Sequence, residues 1–443
     1  PNIDKLANSG MLFTNHYSGA PVCAPARSVL MTGMHMGNTH IRANGEWSER
    51  GDVWSFKAML DDPSLEGQRP LLDSIVTVAN VLQENGYKTG MVGKWGLGAP
   101  MTNSIPNKKG FDFFYGYNCQ RQAHTYYPTH LWKNDKRYFL NNYIVTKKEG
   151  LEENADPYDS KSYKKYNQKD YAPALMHQEA LDFIDRNKDE NFFLYYASPI
   201  PHLPLQGPQK WVDYYLEKFG SEEPYTGKSY FPNKNPRATY AAMISYLDQQ
   251  VGEIVEKLKE IGEYENTLII FTSDNGPSWV KQVDYNFFNS TGIFVNSRDT
   301  MKGSVSEGGI RVPMIASWPN TIKSGSVSNH ISSFYDFFAT ACDIANIELP
   351  FNTDGISFYP TLQAKNQTQH DYLYWEYPAS GGLQAIRMGK WKGIKKNLFK
   401  SDSKLQLYDL SNDPKELIDV SKRFPEKIKL LEKYLDEAHT TPT

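Results

Sequence analysis

Five short stretches of this chain carry side chains able to do chemistry. Cys23-Ala24-Pro25-Ala26-Arg27, running into Ser28-Val29-Leu30-Met31-Thr32-Gly33, sets a thiol four residues before a permanent cation. Gly93-Lys94-Trp95-Gly96-Leu97-Gly98 holds a lysine among glycines. In Ser198-Pro199-Ile200-Pro201-His202-Leu203-Pro204 a histidine stands between prolines just past an apolar run. That places it on a rigid loop at the carboxyl edge of a sheet, where open α/β sites lie. Thr272-Ser273-Asp274-Asn275-Gly276 ends another apolar run in two hard oxygen donors, which suits Ca2+. An Asx turn accounts for its Asn-Gly step but not for the acid at the strand end. Lys302-Gly303-Ser304-Val305-Ser306-Glu307-Gly308-Gly309-Ile310-Arg311-Val312-Pro313 is a glycine-rich loop opened by a lysine. Taken singly, Cys23 reads equally as a small buried loop thiol, and His202 as a loop histidine bonded to backbone.

Taken together and in this order, the five stretches resemble the motifs of the type I, formylglycine-dependent sulfatases of the alkaline phosphatase superfamily, and most closely their bacterial carbohydrate sulfatase and arylsulfatase members. The resemblance runs from Pro1-Asn2-Ile3-Asp4-Lys5-Leu6-Ala7 to Leu407-Tyr408-Asp409-Leu410, essentially the whole chain. It implies that Cys23 is oxidised by a maturation enzyme to formylglycine, whose hydrated aldehyde takes sulfate from an ester. Arg27 would hold that aldehyde, with the amides of the following helix offered to the anion. Lys94 and Lys302 would clamp sulfate, His202 would contact the ester oxygen, and Asp274 would accept the proton of the attacking hydroxyl. Asp274, Asn275 and the modified Cys23 would bind Ca2+, with two further aspartates expected on a strand before Pro1; on that ground the numbered chain is expected to be a fragment. Glu307 and Arg311 would hold their loop together. Arg42, His124 and Trp375 resemble positions that face the sugar, expected to be a galactose or N-acetylgalactosamine sulfate attacked in exo fashion.

Two departures stand out. Ala26 occupies a place where many relatives carry Ser, and Gly96 a place where the family carries His. The second leaves the base for collapse of the covalent intermediate unassigned; His124 is a candidate for it as well as for a structural or substrate contact. The chemistry suits a sulfate monoester, because two lysines, an arginine, a histidine and a divalent cation meet its spreading negative charge. Two other readings remain at this point: a phosphate or phosphonate ester hydrolase of the same superfamily, and a catalytically impaired sugar-binding relative.

The elements around these residues alternate. Helical patterns at 2–10, 28–31, 75–85, 174–186 and 237–261 interleave with strand patterns at 12–17, 89–93, 191–197 and 267–272. This predicts an α/β fold with a large, mostly parallel sheet flanked by helices, alkaline phosphatase-like. Residues 100–171 lose periodicity, and 141–167 read as long surface loops. Strand patterns at 372–377, 384–388, 391–394 and 405–408, then a helix at Pro425–Ala438, predict a smaller antiparallel sheet plus helix. The expected division is a catalytic domain at 1–350 and a C-terminal α+β subdomain at 351–443. With 48 basic and 51 acidic residues in 443, the net charge of −3 points to neither nucleic acid nor an anionic membrane surface. No apolar run reaches membrane-span length. Three scattered cysteines make no disulfide framework, so Cys119 and Cys342 read as structural thiols and Cys23 as the special one. A periplasmic or secreted location follows from the resemblance alone.

Overall fold

The computed structural model describes residues 1–145 and 150–441. Nine strands build the central β-layer: β1 (Met11–Tyr17), β2 (Lys88–Lys94), β3 (Phe113–Tyr117), β4 (His130–Lys133), β5 (Lys136–Phe139), β6 (Phe192–Ala197), β7 (Ile269–Thr272), β8 (Met314–Ser317) and β9 (Ser326–Ser333). They form two hydrogen-bonded parts, ordered β5-β4-β3-β2-β6 and β7-β8-β1-β9. The pairs β2–β3, β2–β6 and β1–β9 are parallel, and the others antiparallel.

Helices cover both faces of the five-stranded part, and the sequence of β2 shows why. Met91 and Val92 are adjacent, point to opposite faces and are both fully buried, as in a strand sandwiched between helices. On one face Met91 and Phe114 pack with Val78, Val81 and Leu82 of the helix Val78–Glu84, which opens with a Thr77–Asn80 capping box. On the other, Val92, Tyr115 and Tyr117 meet Ala172, Met176 and Ala180 of the helix Ala172–Arg186.

Four further strands, β10 (Leu373–Tyr377), β11 (Leu383–Met388), β12 (Trp391–Lys396) and β13 (Leu405–Asp409), make an antiparallel sheet in chain order. One face, with Ile386 and Leu407, packs on Leu431 and Leu435 of the helix Pro425–Ala438. The opposite face, with Leu373, Trp375 and Ala385, packs on Tyr17 at the end of β1. The small sheet is thereby pressed against the end of the large one.

The structure differs from the sequence reading in four places, the first being that the sheet expected to be mostly parallel is mixed, with three parallel and four antiparallel strand pairs. Residues 100–171 contain β3, β4 and β5 and a 3₁₀ turn at Ser160–Tyr166, not loops alone. Strand β3 is almost wholly buried, so it lacks the alternation that marks a half-exposed strand, and residues 146–149 of the expected loop lie outside the described residues. Strands β8 and β9 carry no sequence expectation; β9 is Ser-Val-Ser-Asn-His-Ile-Ser-Ser, too polar to announce itself. The helix expected over 28–31 begins at Cys23, since extended Val22 precedes it and Pro25 fits a first turn. It ends at Thr32, where Gly33 takes a left-handed φ of 70°.

Candidate active site

The five motifs converge. Cys23 opens its helix beyond β1, Lys94 ends β2, His202 follows β6, and Asp274 and Asn275 follow β7. These are mostly carboxyl ends of strands, the edge at which open α/β sheets build sites. Lys302 Nζ lies 3.4 Å from Cys23 Sγ, and Asn275 Oδ1 lies 3.6 Å from it. Arg27 Nε is 3.5 Å from Asp274 Oδ2.

The backbone around these side chains is tied together. Arg27 Nη1 donates to the carbonyls of Lys94 at 3.0 Å and Trp95 at 2.5 Å, fixing the Cys23 helix to the end of β2. Lys302 N–H donates to Pro277 O, and Gly303 N–H to Pro21 O, so that loop bridges the Asp274 turn and the Cys23 loop. Trp279 Nε1 donates to Lys302 O at 3.1 Å. Gly276 has to be glycine: a Cβ there would stand 2.1 Å from Gly308 O. Glu307, fully buried, accepts from Tyr17 at 2.7 Å, Lys392 at 2.8 Å and Arg311 at 3.1 Å, so Glu307 and Arg311 do anchor their loop.

Electrostatics follow from this crowding. Burial and Asp274 push the Cys23 thiol up, but Lys302, Lys94 and Arg27 pull it further down, and its pKa falls below the ordinary value. Asp274 is also lowered: burial opposes ionisation, and Arg27, Lys94 and Lys302 outweigh it. Burial lowers Lys94, helped by Arg27 and Lys302, while Lys302 is raised against burial by Cys23 and Asp274. His202 is held well below its ordinary value by burial, then Lys302, Lys94 and His124. Its Nδ1 donates to Leu203 O at 2.6 Å, leaving Nε2 as the working atom. His124 stacks on it, ring centroids 5.4 Å apart and planes 10° apart, and Tyr230 closes edge-on against both rings.

Two expected sugar contacts are overturned. All five N–H donors of Arg42 are spent: on Thr39 O, Gly37 O, Glu376 Oε1, Thr440 O and Thr440 Oγ1. It is a buried tie between the residues after the Cys23 helix, the small sheet and the C-terminal segment. Trp375 is fully buried in the core against Tyr17 and donates its indole N–H to Ser18 O at 2.8 Å. Neither is hydrogen-bonded to Cys23, Lys94, Asp274 or Lys302. Conversely, the phenols of Tyr195, Tyr230 and Tyr377 lie within electrostatic reach of Cys23, and none of the three was named as a site residue from the sequence. Tyr195 could have been found, two residues before the carboxyl end of β6, and Tyr377 two residues after Trp375, in the stretch expected to face the sugar; Tyr230 stands beside no motif residue in sequence.

Among the described residues no three His, Cys, Asp or Glu side chains converge to hold a metal ion. Asp274 and Asn275 offer two oxygen donors where Ca2+ takes about six to eight, and Asp274 is already matched by Arg27. The residues present therefore do not by themselves fit the expected Ca2+. All three cysteines are free and buried. Among the described residues no helix is long and apolar enough to cross a membrane.

Comparison with known proteins agrees with this geometry. The Sulfatase family matches residues 1–347, and the C-terminal family of N-sulphoglucosamine sulphohydrolase matches residues 301–440. Human N-acetylgalactosamine-6-sulfatase is 30% identical over 403 residues, covering 88% of this chain and 66% of its own length, so the chain spans about two thirds of that relative. An uncharacterized sulfatase of Schizosaccharomyces pombe is 28% identical over 98% of this chain and 88% of its own. The crystal structure of Ps i-CgsB with k-i-k-neocarrahexaose superimposes with a TM-score of 0.73 at 26% identity, covering 100% of this chain and 88% of that one. A nucleophilic side chain ringed by Lys94, Lys302 and Arg27, in a chain matched over its first 347 residues, leads to one assignment: the protein belongs to the sulfatase family and is a sulfuric ester hydrolase.

Proposed function

We propose that the protein removes sulfate from sulfated carbohydrates, acting on a terminal galactose or N-acetylgalactosamine sulfate, through a formylglycine made from Cys23. The observation that carries this reading is the convergence of three cations, Arg27, Lys94 and Lys302, on one buried nucleophilic position. The sugar class draws support from the relatives, one named an N-acetylgalactosamine-6-sulfatase and one crystallised with a neocarrahexaose.

A sulfate monoester arrives with a permanent negative charge, and its transition state spreads that charge over the sulfuryl oxygens and the leaving oxygen. Lys94, Lys302 and Arg27 are in place before it binds, so little reorganisation is needed at the moment of reaction. The formylglycine supplies a hydrated aldehyde as nucleophile and its own means of release. Asp274 is ionised and adjacent to Arg27, positioned to receive the proton of the attacking group on its carboxylate. His202 and Lys302 serve the leaving sugar oxygen. His202 is neutral in the free protein, and a bound anion offsets the two lysine charges that help keep it so. Substrate binding thus raises the proton affinity of Nε2 where a proton is needed. Lys302, held protonated, is the second donor. A Ca2+ at Asp274 and Asn275 would need further carboxylates, and no step above depends on it. With this activity go a formylglycine-generating or anaerobic sulfatase-maturating enzyme as partner and a periplasmic or secreted location. The catalytic unit is placed at residues 1–350, with 351–443 as a small subdomain backing it.

The test is sulfate release from a panel of sulfated galactose, N-acetylgalactosamine and glucosamine sugars. The protein is coexpressed with a maturation enzyme, and Cys23→Ala is the control. Release abolished in the control supports the reading and names the sugar. No release from protein whose aldehyde at residue 23 is verified by mass spectrometry overturns it.

A further inference from the structure

His35 follows the helix that Cys23 opens, in the segment between that helix and Arg42, and is 6% exposed. Its Nδ1 accepts the N–H of Gly37 at 3.1 Å, so that nitrogen carries a lone pair and the ring is neutral. The turn fixed in this way receives the segment that follows the helix Pro425–Ala438. Gly37 O accepts Thr440 N–H at 3.0 Å, Thr440 Oγ1 at 2.6 Å and Arg42 Nη2 at 2.8 Å. The approach is close: a Cβ on Gly37 would stand 1.9 Å from Ala438 O and 3.0 Å from His35 Cε1.

A competing partner stands beside the same ring nitrogen. Asp354 Oδ2 lies 3.7 Å from Nδ1, beyond hydrogen-bond length. Its carboxylate is held there by the N–H of His35 at 2.9 Å and by Asn38 Nδ2 at 3.0 Å. The other groups facing the ring are Tyr335, at the turn after β9, and Tyr374 of β10, with ring centroids 6.0 and 5.2 Å away. Glu376 of β10 is farther committed, to Arg42, Tyr374 and His439. Burial, only partly offset by Asp354 and Glu376 and reinforced by the Arg42 cation, holds His35 below its ordinary value of 6.5. A proton taken up at Nδ1 removes the acceptor of Gly37 N–H, sets two N–H groups against each other and offers Asp354 a cationic donor.

We propose that His35 is a proton-operated latch on the segment 438–440. Neutral, it holds the Gly37 turn that captures Thr440; protonated at Nδ1, it exchanges Gly37 for Asp354 and the segment is released. The latched form binds no proton here, so it is fully favoured above pH 6.5 and loses ground as pH falls below that value. The device is independent of which ester the protein cleaves.

The test is hydrogen exchange at the Thr440 amide, read by mass spectrometry with electron-transfer fragmentation. Protection is measured at about pH 7.5 and about pH 5, against the intrinsic rate at each pH, with the amides of β2 as internal control. Protection at Thr440 is expected to fall at least about tenfold at the lower pH while β2 changes by less than about twofold. His35→Asn keeps an acceptor near the place of Nδ1 but cannot be charged, so its protection should agree within about twofold at the two pH values. Asp354→Asn removes the anion that receives the protonated ring, and the pH of half-release should drop by about one unit. Wild-type protection that is equal at the two pH values overturns the proposal, as does a fall in His35→Asn matching that of wild type. Should His35→Asn lose protection at both pH values because the turn no longer forms, Asp354→Asn decides: a lowered midpoint supports the latch and an unmoved one overturns it.

Discussion

Lys302 Nζ and Cys23 Sγ stand 3.4 Å apart across 279 positions of sequence. The contact joins the end of one loop to the first residue of a helix, and it makes Cys23 unlike the other two cysteines. Burial raises Cys119, and pushes Cys342 up to about 11, whereas Cys23 is lowered despite burial. In unmodified protein, the first thiolate to appear on raising pH is therefore expected to be Cys23. Ultraviolet thiolate absorbance should lose its lowest transition in Cys23→Ser. In Lys302→Ala that transition should move up by about one pH unit, a tenfold change in thiolate fraction. An unmoved transition would show that Lys302 does not set it.

Lys392 is fully buried between Glu307 at 2.8 Å and Glu416 at 2.7 Å. Glu307 is lowered to about 2: its burial is outweighed by Lys392, Arg387 and Arg311. Lys392→Met should cost about 3–5 kcal/mol, because it leaves two buried carboxylates facing one another. Lys392→Met combined with Glu416→Gln should recover part of that loss. Denaturant unfolding of the two variants checks both, and equal stabilities would contradict the pairing.

Arg42 makes five hydrogen bonds that a lysine cannot reproduce. Arg42→Lys should cost about 1–3 kcal/mol while leaving KM for sulfated sugars unchanged in the folded protein. A raised KM with unchanged stability would return Arg42 to the substrate.

His16 is buried beside Ser332, and burial, only partly offset by Asp336, lowers it from 6.5 to about 4. The unfolded chain binds a proton that the folded one refuses, so this histidine's contribution is complete above pH 6.5 and is lost as pH falls toward about 4. From neutrality to pH about 5 the loss amounts to about 2 kcal/mol. Urea unfolding at both pH values should show it, and His16→Asn should flatten the slope.

The chemistry of this site was more legible than its walls. Lys94, His202 and Asp274 each sit beside glycines or prolines at the end of an apolar run, and Lys302 opens a glycine-rich loop, so sequence neighbours alone betray them. Arg42 and Trp375 looked equally suggestive, but their fate was decided by partners more than 300 positions away: Glu376 for one, Ser18 for the other. Gln120 shows the converse, because nothing near it in sequence says that its side chain packs closely on Gly96 and accepts a hydrogen bond from Arg27. The fold divides likewise. Helices with one apolar face and strands with apolar runs were readable, whereas β9, polar and paired to β1 across the chain, owes its existence to that pairing.

The residue that opens the helix at Cys23 is 4% exposed, beneath the Lys302 loop. A sulfate group on a sugar is narrow enough to reach down to such an atom; the catalytic groove of another protein is not. Any enzyme that alters this side chain must therefore meet the polypeptide before the Lys302 loop closes over it. If Cys23 is converted as proposed, folding and modification compete for the same nascent chain. A molecule that folds first is committed: its fate is sealed at synthesis, and only unfolding reopens the choice. On that reading the active fraction of a preparation would record how that race was run, not how the finished protein was later treated.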